Sequence, residues 1–208
     1  MEANRKITVL GVIQEGVGLG LKNVLSLIGA VILWILTIWI PYLNVGTTIA
    51  ISTIPIELSK GGMISPLFIF DAKYRQYMGE FFTLIGLMML AIIPALFFII
   101  IPGIVISISW SLAIYILLDK GVAPGEAMIR SNKATYGYKW TIFGIIFLVG
   151  LVYYLLSTIL LLIPIVGIIL SFILYLFYMA IALGCNAIIY RNLTAEETAT
   201  LPETPTAG

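Results

Sequence analysis

The chain has no histidine and a single cysteine, Cys185, in 208 residues. An intrachain disulfide is therefore impossible, and a zinc site built from several Cys and His ligands is excluded. The side chain most often used as a general base is missing as well. Charge is scarce: 10% of residues are Asp, Glu, Lys or Arg, against about a quarter in soluble domains. Eleven basic and ten acidic side chains leave a formal net charge of +1, which implies no strongly acidic or basic partner. No basic tract with interleaved aromatics suggests nucleic acid, and no cofactor is expected.

What the chain has instead is apolar length. Hydrophobic residues make up 61% of it. Runs such as Phe81–Ile101 and Thr141–Ile163 reach the ~20 residues that cross a hydrocarbon layer of ~30 Å. The composition is that of an integral membrane protein. Three apolar stretches are broken by proline and glycine with no charge nearby: at Pro41 to Gly46, at Pro102-Gly103, and at Pro164 to Gly167. Read as turns, these breaks predict an all-α membrane protein of three helical hairpins. That means about six transmembrane or partly re-entrant helices, with short cytoplasmic amphipathic helices between them.

The expected organisation is a cytoplasmic or interfacial lead-in over residues 1–23, a polytopic helical domain over 24–191 and a disordered cytoplasmic tail over 192–208. The first hairpin is the least regular. Its arm Thr47–Leu58 spans only about 18 Å as a helix and contains Pro55, so it either crosses with help from its flanks or is re-entrant. Trp34 and Trp39 are expected toward the far interface. Phe81–Leu118 is too long for one crossing; a turn at Pro102-Gly103 or a sharply broken single crossing both resolve this. Between the hairpins, Ser65-Pro66 and Pro124 to about Thr135 each start short loop helices. With the breaks on one side, every Lys and Arg falls on the other. The positive-inside rule makes that side cytoplasmic, with both termini inside and the cell (inner) membrane as the location.

Certain stretches carry a family likeness from about Gly46 to Ile189. They are GGMISPLFIF (Gly61–Phe70), IPGIVISISWSLAIYILLD (Ile101–Asp119) and EAMIRSNKATYGYKW (Glu126–Trp140), the last followed by Phe143. In order and spacing the chain resembles an uncharacterised bacterial family of multi-pass membrane proteins, related to the membrane region of some glycerophosphodiester phosphodiesterases. The resemblance implies no activity. The phosphodiesterase catalytic domain needs histidines and acidic metal ligands that this chain does not supply.

Few residues offer chemistry. Ser131 would need a positioned base to act as a nucleophile, so a hydrogen-bonding or docking role is the stronger reading. Asp119, where an apolar arm meets the loop, is expected either to pair with Lys120, Arg130 or Lys133 or to be an ordinary headgroup-level carboxylate. Arg130, Lys133 and Lys139 form the nearest thing to a phosphate-facing cluster, and such residues attract anionic lipid headgroups. Glu57, the one acid inside an apolar arm, is expected at the interface beside Lys60. Gly144, Ala180 and Gly184 are candidate small-residue surfaces for close helix packing.

No catalytic or metal site is expected. The leading expectation is a non-catalytic membrane scaffold or accessory subunit that contacts membrane lipids and either self-associates as a homo-oligomer or binds another membrane protein. The alternatives are a transporter or channel-like oligomer for a small or amphipathic solute, and a lipid-handling or envelope-stress component.

Overall fold

The computed structural model describes residues 7–199, with side chains to residue 195. All regular structure among them is helical: α1 (Val9–Lys22), α2 (Val24–Thr37), α3 (Pro41–Ser52), α4 (Ile54–Ser59), two 3-10 turns (Pro66–Phe70 and Ala72–Tyr77), α5 (Met78–Phe98), α6 (Ile100–Ser109), α7 (Ala113–Lys120), α8 (Pro124–Thr135), α9 (Lys139–Leu160) and α10 (Val166–Ala199).

Local chemistry sets most of these boundaries. The Thr8 hydroxyl caps α1 by accepting the Gly11 N–H at 3.2 Å. Pro41, Pro66 and Pro124 each open a helix or 3-10 turn, where the missing N–H costs nothing and the fixed φ suits the first turn. Gly121 ends α7 with φ 62, in the left-handed region that glycine enters without steric cost.

Two of the expected turns therefore shift. Pro41 opens α3, and Gly46 lies inside that helix. In the second hairpin the chain reverses at Ile99, whose backbone is extended (φ −148, ψ 102), and Pro102 and Gly103 fall in the first turn of α6. Gly103 faces Leu96 across the hairpin, where a Cβ would sit 2.6 Å from that side chain. A proline preceding a helix marks its start as readily as it marks a tip, and sequence alone does not separate the two. In the third hairpin Pro164 lies in the turn between α9 and α10, and Gly167 lies in the first turn of α10.

The fold supports four helical segments long and apolar enough to cross a membrane: Ala72–Phe98, Ile100–Lys120, Lys139–Leu160 and Val166–Ala195. A fifth exists only if α1 and α2, which meet at 70°, are taken as one broken span. Of the about six transmembrane or partly re-entrant helices expected, four or five have the length and composition of spans, and the arms of the first hairpin are the short ones. Helix α2 has 14 residues and α3 has 12, about 21 Å and 18 Å of rise. The tip does not project away from the charged loops either. The Arg75 guanidinium lies 5.7 Å from the Tyr42 ring, and a Cβ on Gly46 would lie 3.0 Å from the Arg75 side chain. Trp34 donates its indole N–H to Thr48 at 2.9 Å, and the Thr37 and Thr47 hydroxyls meet at 2.8 Å. These bonds close the hairpin on itself.

The described part of the lead-in packs on α10. Val12, Gly16 and Gly20, spaced four apart, form the buried face of α1, and that face packs on α10. A Cβ on Gly16 would fall 2.6 Å from Cys185 Sγ, and one on Gly20 would collide with the Ala180 carbonyl. The glycines that weaken α1 as an isolated helix are what lets its backbone approach α10. The bend into α2 is held by Asn23, 2% exposed, which donates to the Leu19 carbonyl at 3.1 Å and accepts the Ile64 N–H at 3.4 Å. The expected tail is also corrected. Helix α10 continues through Arg191 to Ala199, so residues 192–199 are helical; residues 200–208 lie outside the described part.

Burial divides the molecule. The core gathers Ile49, Leu84, Leu112, Ile116, Ile142 and Ile189, each nearly inaccessible. By contrast, only 11% of the most apolar window of α5, α9 and α10 is buried. Phe97, Phe98, Leu162 and Ile165 at the hairpin tips are largely exposed, as helices facing acyl chains should be.

Candidate functional site

The helix ends farthest along the chain from the apolar tips converge on Asp119, the penultimate residue of α7. Its carboxylate accepts the Tyr190 O–H at 2.7 Å and pairs with Lys60 Nζ at 3.3 Å and Lys120 Nζ at 3.4 Å. Lys60 also reaches Glu57 at 3.4 Å. The ends of α4 and α7 are thereby tied to α10 at Tyr190. Burial works against the charged Lys60 amine, but the Glu57 and Asp119 carboxylates outweigh it and hold the amine above its ordinary value. Thr53, Glu57, Lys60, Lys73, Gln76 and Asp119 line a small cavity of about 190 Å³ there. Glu57 is half-exposed at this end, not sunk in an apolar layer.

Of the pairings expected for Asp119, Lys120 is present. Arg130 forms an ion pair with Glu126, one turn away on α8. Lys60 and Tyr190 lie 59 and 71 positions from Asp119, and no local spacing rule links residues so far apart. A tyrosine closing a long apolar run is the one signal in the sequence, since a buried phenol requires a hydrogen-bond partner.

Ser131 is fully buried. Its hydroxyl donates to the Ser109 carbonyl at 2.7 Å and accepts the Leu112 N–H at 3.2 Å. Thr135, one turn on, donates to the same Ser109 carbonyl at 3.3 Å and to the Ser131 carbonyl at 2.9 Å. Between Ser109 and Ala113 the α6–α7 segment loses its regular helical bonding, and these two hydroxyls occupy the groups so released. Helix α8 is therefore docked halfway along a membrane-length segment, not merely beneath it. Lys133 is exposed on the same helix. Lys139, opening α9, donates to the Asn132 side-chain carbonyl at 3.2 Å. Arg130, Ser131, Lys133 and Lys139 thus share α8 and its junction with α9, while Asp119 belongs to a separate cluster.

The small residues lie at helix contacts. A Cβ on Gly184 would collide with the Gly16 carbonyl, Ala180 packs against Gly20, and a Cβ on Gly144 would meet Val9 at 3.3 Å. Further out, Tyr153 stacks on Tyr178 with centroids 4.6 Å apart and meets Tyr175 edge-on at 6.1 Å, joining α9 to α10.

Two apolar cavities open along the membrane-length helices. One of about 280 Å³ lies between α1, α9 and α10, lined by Val17, Val152, Tyr153 and Phe177 among others. The larger, about 500 Å³, lies between α6 and α9. Among the described residues, no three His, Cys, Asp or Glu side chains are grouped as a metal site would need. Comparisons with family models, curated proteins and solved structures found no match to this chain. The likeness to the multi-pass family rests on the quoted sequence stretches alone.

Proposed function

We infer that the protein is a non-catalytic scaffold or accessory subunit of the cell membrane. One observation carries this reading: the polar side chains within the bundle serve to hold helices together. Ser131 and Thr135 bridge α8 to the α6–α7 break, and Asp119 joins α4, α7 and α10. The membrane-length helices α5, α9 and α10 meanwhile offer broad apolar faces, suited to lipid and to another membrane protein or a second copy of the chain. α9 and α10 cross as one hairpin, α5 and α6 enter the apolar layer as another, and the first hairpin lies at the charged end. The positive-inside rule then assigns both termini to the cytoplasm. The resemblance to the family related to phosphodiesterase membrane regions fits the same reading, since it brings no catalytic groups.

The test is purification of the full chain in native-like lipid. Stable co-purification with one membrane partner, or a defined homo-oligomer, with no solute flux in proteoliposomes, is the expected result. Solute flux through the purified protein would overturn it in favour of a transporter. Lipid handling is favoured by one specific observation, the large apolar cavity between α6 and α9.

A further inference from the structure

The cavity between α6 and α9 differs from the others in what stands at its mouth. On α6 it is lined by Ile101, Ile104, Val105 and Ile108, the i, i+3, i+4, i+7 pattern of a single helix face. Opposite stand Lys139, Trp140 and Phe143 in the first turns of α9, with Tyr136 from the turn that precedes it. The apolar part runs about 10 Å along α6, and its volume of about 500 Å³ lies within the usual range for small-molecule sites. Trp140 and Tyr136 are mostly exposed. Trp140 packs edge-on against Phe143, with centroids 6.0 Å apart. An indole and a phenol beside an apolar groove mark the headgroup level of a bilayer.

Lys139 at that level bonds the neutral amide oxygen of Asn132, and among the described residues no carboxylate lines the groove. No side chain caps the N-terminus of α9 at the same mouth. The groove thus joins an apolar trough to a cation that lacks a carboxylate partner. A peptide or a second copy of this chain would need an acid at that height to match it. A phospholipid places an anionic phosphate and an acyl chain there together.

We propose that the α6–α9 groove is a binding site for an anionic glycerophospholipid, with one acyl chain along Ile101–Ile108 and the phosphate on Lys139. Neighbouring bulk lipid exchanges freely, whereas a lipid in this groove is retained. This goes beyond the scaffold reading and does not depend on it.

The experiment uses the full chain in nanodiscs with equal phosphatidylglycerol and phosphatidylcholine of identical chains. Retained lipid is counted by native mass spectrometry, and sites are mapped with phosphatidylglycerol bearing a photoactivatable acyl chain. Wild type should retain phosphatidylglycerol about fivefold over phosphatidylcholine, the preference one interfacial cation supplies, with crosslinks on residues 101–108 and 139–143. Lys139→Gln should bring the two lipids to parity, Lys139→Arg should keep the preference, and Val105→Trp should remove the groove crosslinks. Equal retention by wild type would overturn the proposal. So would an equal loss on Lys22→Gln, which removes a remote charge, or displacement of bound lipid by millimolar inorganic phosphate alone, which would identify a soluble-anion site. Should Val105→Trp fail to fold, the wild-type crosslink map decides the matter: crosslinks elsewhere refute the site.

Discussion

Removing one oxygen from Ser131 should loosen the bundle at the middle of a membrane-length segment. In Ser131→Ala the Leu112 N–H loses its acceptor in a place with no solvent, because Ser131 is fully buried and Leu112 is 1% exposed. The Ser109 carbonyl fares better. It loses the 2.7 Å bond from Ser131 but keeps the 3.3 Å bond from Thr135. An orphaned buried donor costs about 1–3 kcal/mol, so a loss near 2 kcal/mol is expected, the surviving Thr135 bond limiting it. Thr135→Val should cost about 1 kcal/mol or less, because both partners of Ser131 remain satisfied. The double variant should lose more than the sum of the two, since each hydroxyl substitutes in part for the other at Ser109. Unfolding in mixed micelles gives the stabilities, and hydrogen exchange at the Leu112 amide gives the local effect, which should be faster exchange in Ser131→Ala and none in Thr135→Val. A Ser131→Ala variant within about 0.5 kcal/mol of wild type, with Leu112 exchange unchanged, would refute the reasoning.

Gly184→Ala drives a methyl into the Gly16 carbonyl and should cost about 1–3 kcal/mol; Gly150→Ala meets no atom within 4 Å and should be neutral or stabilising by up to about 1 kcal/mol, both read by unfolding in micelles. In a Cys185→Ala background, cysteines at Tyr42 and Met63 should react with an impermeant thiol reagent from the same side, since Tyr42 lies against Arg75; reaction from opposite sides would show that the first hairpin crosses. The Lys60 amine is raised by Glu57 and Asp119, so its ion pairs contribute fully below its unfolded value of about 10.4 and are lost as pH rises through the higher folded value. The stability gap between wild type and Lys60→Gln should accordingly close above that pH, and a gap unchanged at pH 11 would contradict the pairing.

Much of the fold was legible because it depends on local chemistry. The membrane class follows from run length, the third hairpin from Pro164 and Gly167 between two long arms, and the start of α8 from Pro124. Legibility failed where the same residue serves two local purposes. Pro41 and Pro102 read as turns, yet Pro41 opens a helix and Pro102 lies in the first turn of one. The glycines of α1 read as helix-weakening, yet Gly16 and Gly20 are contact points with α10. The docking role of Ser131 was readable in kind, from the absence of any base, but not in detail, because Ser109 and Leu112 lie 22 and 19 positions away.

The sequence by itself determined that this chain belongs to a membrane, that its helices carry lipid-facing lengths, and that its acids and bases cluster away from the apolar tips. Transfer of apolar and charged side chains between water and hydrocarbon dictates each of these, residue by residue. Only the tertiary structure decided that the first hairpin folds against Arg75, that α8 docks at a helix break, and that Asp119 meets Lys60 and Tyr190. Those outcomes depend on which backbones approach closely enough to pack and which released N–H and C=O groups find partners. Such pairings form between residues distant in the chain, where no periodicity records them.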